Sequence, residues 1–128
     1  MEKIQQILKN LSQELPGYVA GAIVEGEEGL TVVEERKVPD IDVQISAAYS
    51  VESLKFQERI VSSLNSSDKP KFILSISNNY LIITQPINNS NFYLHIITNR
   101  EKSSLGIIIA LLSRYEQILN KAISDWVL

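Results

Sequence analysis

The sequence predicts an α+β fold in which a single five-stranded antiparallel sheet carries helices on both faces, a profilin-like arrangement. Three observations lead to this prediction. Apolar residues recur at helical spacing in three segments, five short segments are rich in β-branched residues, and turn-forming residues separate neighbouring strands. The element order is therefore α-β-β-α-β-β-β-α. A chain of 128 residues predicts one domain, residues 1–128.

The first helix ends at Pro16-Gly17, because proline cannot continue the helical hydrogen bonds and glycine permits a sharp turn. Its apolar residues recur at steps of three and four and define about four turns of helix. They are Ile4, Ile7, Leu8, Leu11 and Leu15.

The two strands that follow form a predicted hairpin, Tyr18 to Glu25 and Leu30 to Glu35, joined by the turn "EGEEG". The first is apolar on both sides, as expected in the middle of a sheet. Strict alternation places Tyr18 on the same side as Ala20, Ala22 and Val24. Gly21 leaves a gap for close packing inside the strand, and the charged end of the second strand suits a sheet edge.

A long second helix is predicted from Ile41 to Leu64, with Asp40 as its N-cap and Asp42 near the positive end of its dipole. Its uncharged arc is wider than contact with one sheet requires. Either the additional apolar residues wrap round the rim of the core, or the helix also packs on a second chain. Small serines beside apolar residues favour the second interpretation, because they let another helix approach closely.

Three further strands are predicted at Lys71 to Ser77, Tyr80 to Gln85 and Asn91 to Thr98, followed by a helix from Ser104 to Ile123 or beyond. The short connections, "NN" at 78–79 and "PINNSN" at 86–91, make these strands antiparallel neighbours. Placing the first strand beside the last gives the strand order 2-1-5-4-3. Helices one and three then cover one face of the sheet, and helix two covers the other.

The strand at Lys71 to Ser77 is then an edge with little charge, and such an edge favours pairing with another chain. It lies next to the second helix. Helix two and this edge strand are therefore two independent indications of a partner chain. The predicted interface residues are Ser46, Ser50, Ser53, Phe56, Ile60, Phe72, Leu74 and Ile76.

Composition and motifs exclude several classes of function. The formal net charge of −3 argues against broad nucleic-acid or anionic-membrane binding, which requires a basic face. The chain has no cysteine for thiol catalysis, disulfides or zinc, and its only histidine, His95, is interpreted as structural. There is no glycine-rich phosphate loop. We expect no catalytic residue, cofactor or metal, and therefore no enzyme.

The beginning of the chain is amphipathic and does not resemble a secretory signal. The longest apolar run, residues 105–112, is much shorter than the roughly 20 residues that span a membrane. We therefore expect a cytoplasmic protein with no membrane and no nucleic-acid partner.

Three stretches resemble the roadblock / dynein light chain family. "LPGYVAGAIVEGEEGLTVV" resembles the family's first hairpin, "DIDVQISAAYSVE" its long helix, and "SSLGIIIALLSRYEQIL" its closing helix. The resemblance covers roughly residues 3 to 123. Glu28 departs from the usual aspartate or asparagine before the turn glycine, and Tyr18 replaces a small aliphatic residue.

This resemblance implies a protein that is not an enzyme by itself and that dimerises through helix two and strand three. It further implies binding of a small Ras-like GTPase, as a platform or as an activator. The chain is similar in its single-domain size to the bacterial gliding-motility GTPase-activating proteins, which are implied to reshape the GTPase without donating an arginine. The residues that would face the GTPase are Gln44, Glu52, Lys55 and Arg59. The alternative for these residues is that they are only solvated.

Two other functions remain open at this stage. A small-ligand sensor of the GAF or PAS type shares a similar central sheet and predicts a buried apolar cavity, whereas the regulator hypothesis predicts no pocket. A dimerising adaptor without a GTPase differs from the regulator only in its partners.

Overall fold

A computed structural model describes residues 1–88 and 90–127, and its element order agrees with the predicted one. The bounds differ from prediction by a few residues, mainly at β3, β4 and the end of α3. The elements are α1 (Glu2–Glu14), β1 (Tyr18–Glu25), β2 (Thr31–Arg36), α2 (Val43–Leu64), β3 (Ile73–Ile76), β4 (Tyr80–Ile87), β5 (Phe92–Asn99) and α3 (Leu105–Val127). The predicted connection at 86–91 includes Asn89, which lies outside the described residues.

The five strands form one antiparallel sheet in the order β2-β1-β5-β4-β3, which confirms the predicted topology. The first and last strands of the sequence are neighbours, so β1 and β5 lie inside the sheet. Both are buried along most of their length, as expected for strands that are covered on two faces.

Helices α1 and α3 cover one face and form the larger core with the sheet. Leu8 and Leu11 of α1 and Leu112 and Leu119 of α3 are almost completely buried there. The Tyr115 hydroxyl of α3 also donates a hydrogen bond to Glu14 Oε1 at 2.8 Å, which joins the two helices at their edge.

Helix α2 covers the opposite face and forms a smaller core in which short side chains predominate. Alanines at 20, 22 and 47 are completely buried between the helix and the sheet. The cap of α2 is Asp42, not the predicted Asp40, because its carboxylate accepts the Ile45 N–H at 3.1 Å.

The prediction that Tyr18 shares a face of the sheet with Ala20, Ala22 and Val24 was wrong. The pairing with β5 is irregular between Tyr18 and Ala20, and this moves the Tyr18 side chain to the α1–α3 face. There it crosses Gly21, and its hydroxyl donates to the Glu35 carbonyl at 2.8 Å. A Cβ atom on Gly21 would lie 2.5 Å from the Tyr18 hydroxyl oxygen, so Gly21 leaves the space that Tyr18 occupies.

Strand β3 is shorter than predicted because β4 contains a proline. The Ser77 N–H donates to the Tyr80 carbonyl at 3.0 Å, so alternate residues of β4 from Tyr80 onward direct their backbone groups toward β3. Pro86 is in this series and has no N–H to donate. The ladder therefore ends at the pair of Ile73 and Thr84, which leaves the last part of β4 without a neighbour on that side.

Candidate interaction surfaces

The outer face of α2 carries an apolar stripe that is exposed to solvent. Its members recur at helical spacing, and each is more than half exposed: Ile45, Tyr49, Phe56, Ile60 and Leu64. They lie opposite the residues that α2 buries against the sheet, Val43, Ala47, Val51 and Leu54. Exposed apolar side chains grouped along one side of a helix mark an interaction surface more often than a solvated one.

The predicted interface serines do not all lie on this stripe. Ser53 is exposed beside it and Ser50 is half-buried, but the Ser46 hydroxyl contacts His95 Nε2 at 2.8 Å beneath the helix. Ile45, Tyr49 and Leu64 were not predicted as interface residues. Their spacing from Phe56 and Ile60 is visible in the sequence, and the direction of the stripe becomes clear only once the buried side of α2 is known.

His95 is completely buried between the sheet and α2. Its Nδ1 atom contacts Thr84 Oγ1 at 2.8 Å and its Nε2 atom contacts Ser46, so its ring connects β4, β5 and α2. Burial lowers the pKa of His95 to about 4, so the ring is neutral at physiological pH. Both ring nitrogens contact hydroxyl groups beneath α2, so His95 has a structural role. Its position within a strand had indicated this role.

The two edges of the sheet differ in how far side chains cover them. On β2, the Glu34 carbonyl faces the free edge and accepts a side-chain hydrogen bond from Gln5 Nε2 at 3.2 Å. On β3, the register with β4 directs the N–H and C=O groups of Leu74 and Ile76 away from the sheet. Strand β3 is therefore the edge more available for pairing.

The predicted interface side chains of the β3 region have different environments. Phe72 and Leu74 are partly buried and pack on the core beneath α1 and α3, whereas Ile76 is more than half exposed. Because Phe72 and Leu74 pack within their own chain, the groups available to a partner at this edge are mainly the backbone and the Ile76 side chain. The pairing of two chains here stays a prediction.

The four residues predicted to face a GTPase lie along one flank of α2, but two of them are bound within the chain. Gln44 Nε2 donates to Glu34 Oε1 at 2.9 Å, and Lys55 Nζ donates to the Gly26 carbonyl in the β1–β2 turn. Arg59 lies 5.4 Å from the centroid of the Phe56 ring, and Glu52 is exposed. This flank adjoins β2 and the β1–β2 turn.

Every arginine contacts another group of its own chain. Arg36 Nη1 donates to the Pro39 carbonyl at 2.9 Å, and Arg100 Nη1 donates to the Ser77 carbonyl at 2.9 Å. Arg114 lies 3.8 Å from a Glu14 carboxylate oxygen, and Arg59 lies over a phenyl ring. All are exposed and only weakly held, as surface contacts of this kind are worth about 1 kcal/mol or less.

A surface cleft of about 1090 Å³ lies where β4 continues beyond β3. The regulator hypothesis predicted no pocket, and this expectation was wrong. The cleft forms because β4 continues past Thr84 with no β3 residue paired beside it. The cleft is bounded by α3, the end of β4 and the segment before β3, and Lys69, Lys71 and Glu116 are exposed around it. It is therefore an open, mixed polar and apolar cleft, unlike the enclosed apolar cavity expected of a ligand sensor.

Among residues 1–88 and 90–127, no helix combines the length and the apolar character that crossing a membrane requires.

Comparison with protein-family models and with curated protein sequences gave no match. Comparison with solved structures identifies the class of fold. The chain has the fold of the roadblock/LC7 domain from Streptomyces avermitilis, with a TM-score of 0.76, 14% identity, and 96% of each chain covered.

Particular structures superpose more closely. Myxococcus xanthus MglB matches with a TM-score of 0.83 and 13% identity over 97% of this chain and 90% of that chain. The gliding protein MglB from Thermus thermophilus matches with a TM-score of 0.82 and 10% identity over the same shares. At these identities the likeness confirms the roadblock fold, and function has to be argued from the surfaces.

Proposed function

We propose that this chain is a homodimeric regulatory or scaffold protein that binds a small Ras-like GTPase in the cytoplasm, as its activator or as a platform for it. It acts by binding and carries out no chemistry of its own.

The apolar stripe on α2 is the observation that carries the dimer. Burying one large apolar side chain stabilises an assembly by about 1.5–3 kcal/mol before the costs of association. In a two-fold symmetric pair, every residue of the stripe is buried twice. Strand β3 is a free edge of the sheet, and its pairing with β3 of the second chain would join the two sheets in the same dimer.

The GTPase partner is supported by the likeness to the MglB structures, together with the resemblance of the sequence to a family of GTPase platforms. Each arginine of the chain has a contact within the chain. These contacts are weak, so the preference for a regulator that reshapes its GTPase over one that inserts an arginine into the nucleotide site rests on the resemblance of the sequence.

A pull-down tests the proposal. The tagged protein is incubated with lysate of its native cell and either GDP or a non-hydrolysable GTP analogue, and retained proteins are identified by mass spectrometry. We expect a small GTPase to be retained in one nucleotide state only. Retention of no GTPase in either state would leave the adaptor as the better description.

The surface cleft favours one second candidate, a sensor of small ligands. A sensor would be stabilised by its ligand, because binding to the native state alone raises the melting temperature. Screening metabolites by thermal unfolding, with Ser113→Trp at an exposed position as a variant that fills part of the cleft, separates the two. A ligand that stabilises the wild type and not the variant would favour the sensor.

A further inference from the structure

The β1–β2 turn is joined to two other parts of the protein by consecutive hydrogen bonds. Lys55 Nζ on α2 donates to the Gly26 carbonyl, and the Gly26 N–H donates to the Asn91 carbonyl at 2.8 Å. Asn91 Nδ2 in turn donates to Glu25 Oε2 at 3.0 Å. These four residues, Lys55, Gly26, Asn91 and Glu25, are called the Lys55 network below.

Glu25 fixes the conformation of the turn from within. Its carboxylate accepts the N–H groups of Glu28 and Glu27, both at 2.9 Å. These two bonds, with a smaller contribution from the charge of Lys55, hold the pKa of Glu25 below its usual value. Glu25 therefore stays ionised at neutral pH and orders the turn, while Lys55 attaches the ordered turn to α2.

The turn and α2 lie close together along this line. Gly26 is buried, and a Cβ atom there would lie 2.5 Å from Tyr93 Cε2 and 2.8 Å from Asn91 Oδ1. Gly29 has a φ of +71°, and a Cβ atom on it would lie 3.6 Å from the Cβ of Ala48 on α2. The exposed residues on the two sides of this contact are Glu27, Glu28, Leu30, Ala48, Glu52 and Arg59.

We propose that Lys55 is a positioning residue that holds the β1–β2 turn against α2, so that the turn and the flank of the helix form one binding surface for the GTPase. This inference rests on the proposed function. Lys55 acts through Gly26 and does not contact the partner, whereas Arg59 and Glu52 beside it remain exposed for direct contact. Because Glu27, Glu28 and Glu52 outnumber Arg59, the matching face of the GTPase is basic.

The first test uses the protein alone. Hydrogen exchange of the Glu27 and Glu28 amides is compared in the wild type, Lys55→Met and Lys55→Arg. We expect exchange about tenfold faster in Lys55→Met, because the turn opens more often once its bond to α2 is lost. Lys55→Arg retains a donor for Gly26 and should exchange within about threefold of the wild type. Unchanged exchange in Lys55→Met would overturn the positioning role.

Lys9→Met is the matched control, since Lys9 is an exposed lysine on α1 at the opposite face of the sheet. It makes the same change of charge and should leave exchange in the turn unchanged. If it accelerated exchange to the same extent, the effect would come from net charge, and the Lys55 network would not explain it.

The second test measures affinity for the GTPase retained in the pull-down, in the nucleotide state that is retained. We expect Lys55→Met to weaken binding about tenfold, Lys55→Arg less than about threefold, and Lys9→Met not at all, with dimer mass unchanged in each. Equal affinity of Lys55→Met and wild type would overturn this inference and leave the proposed function standing. A wild-type protein that retains no GTPase would overturn the proposed function and with it this role of Lys55.

Discussion

Buried His95 illustrates how a single polar residue connects layers of this fold. Its two ring nitrogens contact Thr84 of β4 and Ser46 of α2, both at 2.8 Å. A neutral ring can donate from only one nitrogen and accept at the other, so a hydroxyl on each side suits it. Protonation would place a charge in a dry site with no carboxylate among these partners.

Stability should therefore depend on the protonation of His95 in acid. The folded protein holds the pKa of His95 at about 4, below the ordinary 6.5, so the unfolded chain binds the proton more readily. The contribution is fully present above pH 6.5 and is lost as the pH falls toward 4. Between pH 7 and pH 4.5 we expect the wild type to lose about 2.5 kcal/mol more unfolding free energy than His95→Gln.

Urea unfolding of both proteins at several pH values makes this measurement. Glutamine keeps a donor and an acceptor in the site but does not titrate, and the carboxylates common to both proteins cancel in the difference. Parallel pH profiles would show that protonation of His95 does not destabilise the fold.

The Tyr18 side chain fits in its place only because Gly21 has no side chain. Gly21→Ala would bring a methyl group to within 2.5 Å of the Tyr18 hydroxyl oxygen and 2.8 Å of Ile96 Cδ1. We expect it to destabilise the protein by about 1–3 kcal/mol, the cost of overpacking a core. In a Tyr18→Phe background the oxygen is gone, so the same change should cost less.

A double-mutant cycle measured by urea unfolding gives the coupling between the two positions. Additive effects would mean that the alanine is accommodated without contact with the tyrosine. Tyr18→Phe also removes the hydrogen bond to Glu35, and the cycle subtracts that loss because it occurs on both sides.

Among the elements, α2 has two apolar sides, and only one of them is covered by its own sheet. Placing a charge in the exposed stripe should therefore prevent self-association. We expect Phe56→Arg to raise the dimer dissociation constant at least about 30-fold, as for truncation of a central interface aromatic residue. Ser50→Arg, beside the stripe, should act in the same direction.

Light scattering gives the masses, with 14.4 kDa expected for the monomer. Ile118→Arg on α3 is the control, since Ile118 is also about half exposed but lies on the other face of the sheet. Full dimers of both α2 variants at low micromolar concentration would place the interface elsewhere.

Strand β3 offers a test of the edge that is separate from α2. The N–H of Ile76 points away from β4, so Ile76→Pro removes no bond of the ladder within the chain. It should weaken the dimer while changing the stability of the monomer by less than about 1 kcal/mol. Ser75→Pro is the contrasting variant, because its N–H faces β4 and its loss should destabilise the monomer itself.

Light scattering for assembly and urea unfolding for stability separate these effects. An Ile76→Pro variant that remains as dimeric as the wild type would mean that β3 does not pair between chains.

For the molecule as a whole, topology followed from local patterns. Short turns made β3, β4 and β5 antiparallel neighbours, and apolar residues on both sides of β1 indicated a place inside the sheet. Pairing of β1 with β5 was the simplest arrangement that satisfied both, and it is the observed one. Two details were set by contacts that local patterns do not describe. The irregularity at Tyr18 depends on pairing with β5, far along the chain, and the length of β3 depends on which side of β4 Pro86 faces.

The candidate surfaces divide in the same way. Helical periodicity alone established that α2 has more apolar surface than one sheet can cover, because the spacing of residues gives the angular position of each side chain around the helix axis. Residue types along β3 likewise established that one edge strand lacks protecting charge. The folded chain was needed to learn which arc of α2 faces outward, that Ser46 is bonded to His95, and that Lys55 reaches across to the first turn. The physical reason is that a sequence pattern gives the spacing of residues along the chain. Which distant residues come within contact distance is decided only when the chain folds.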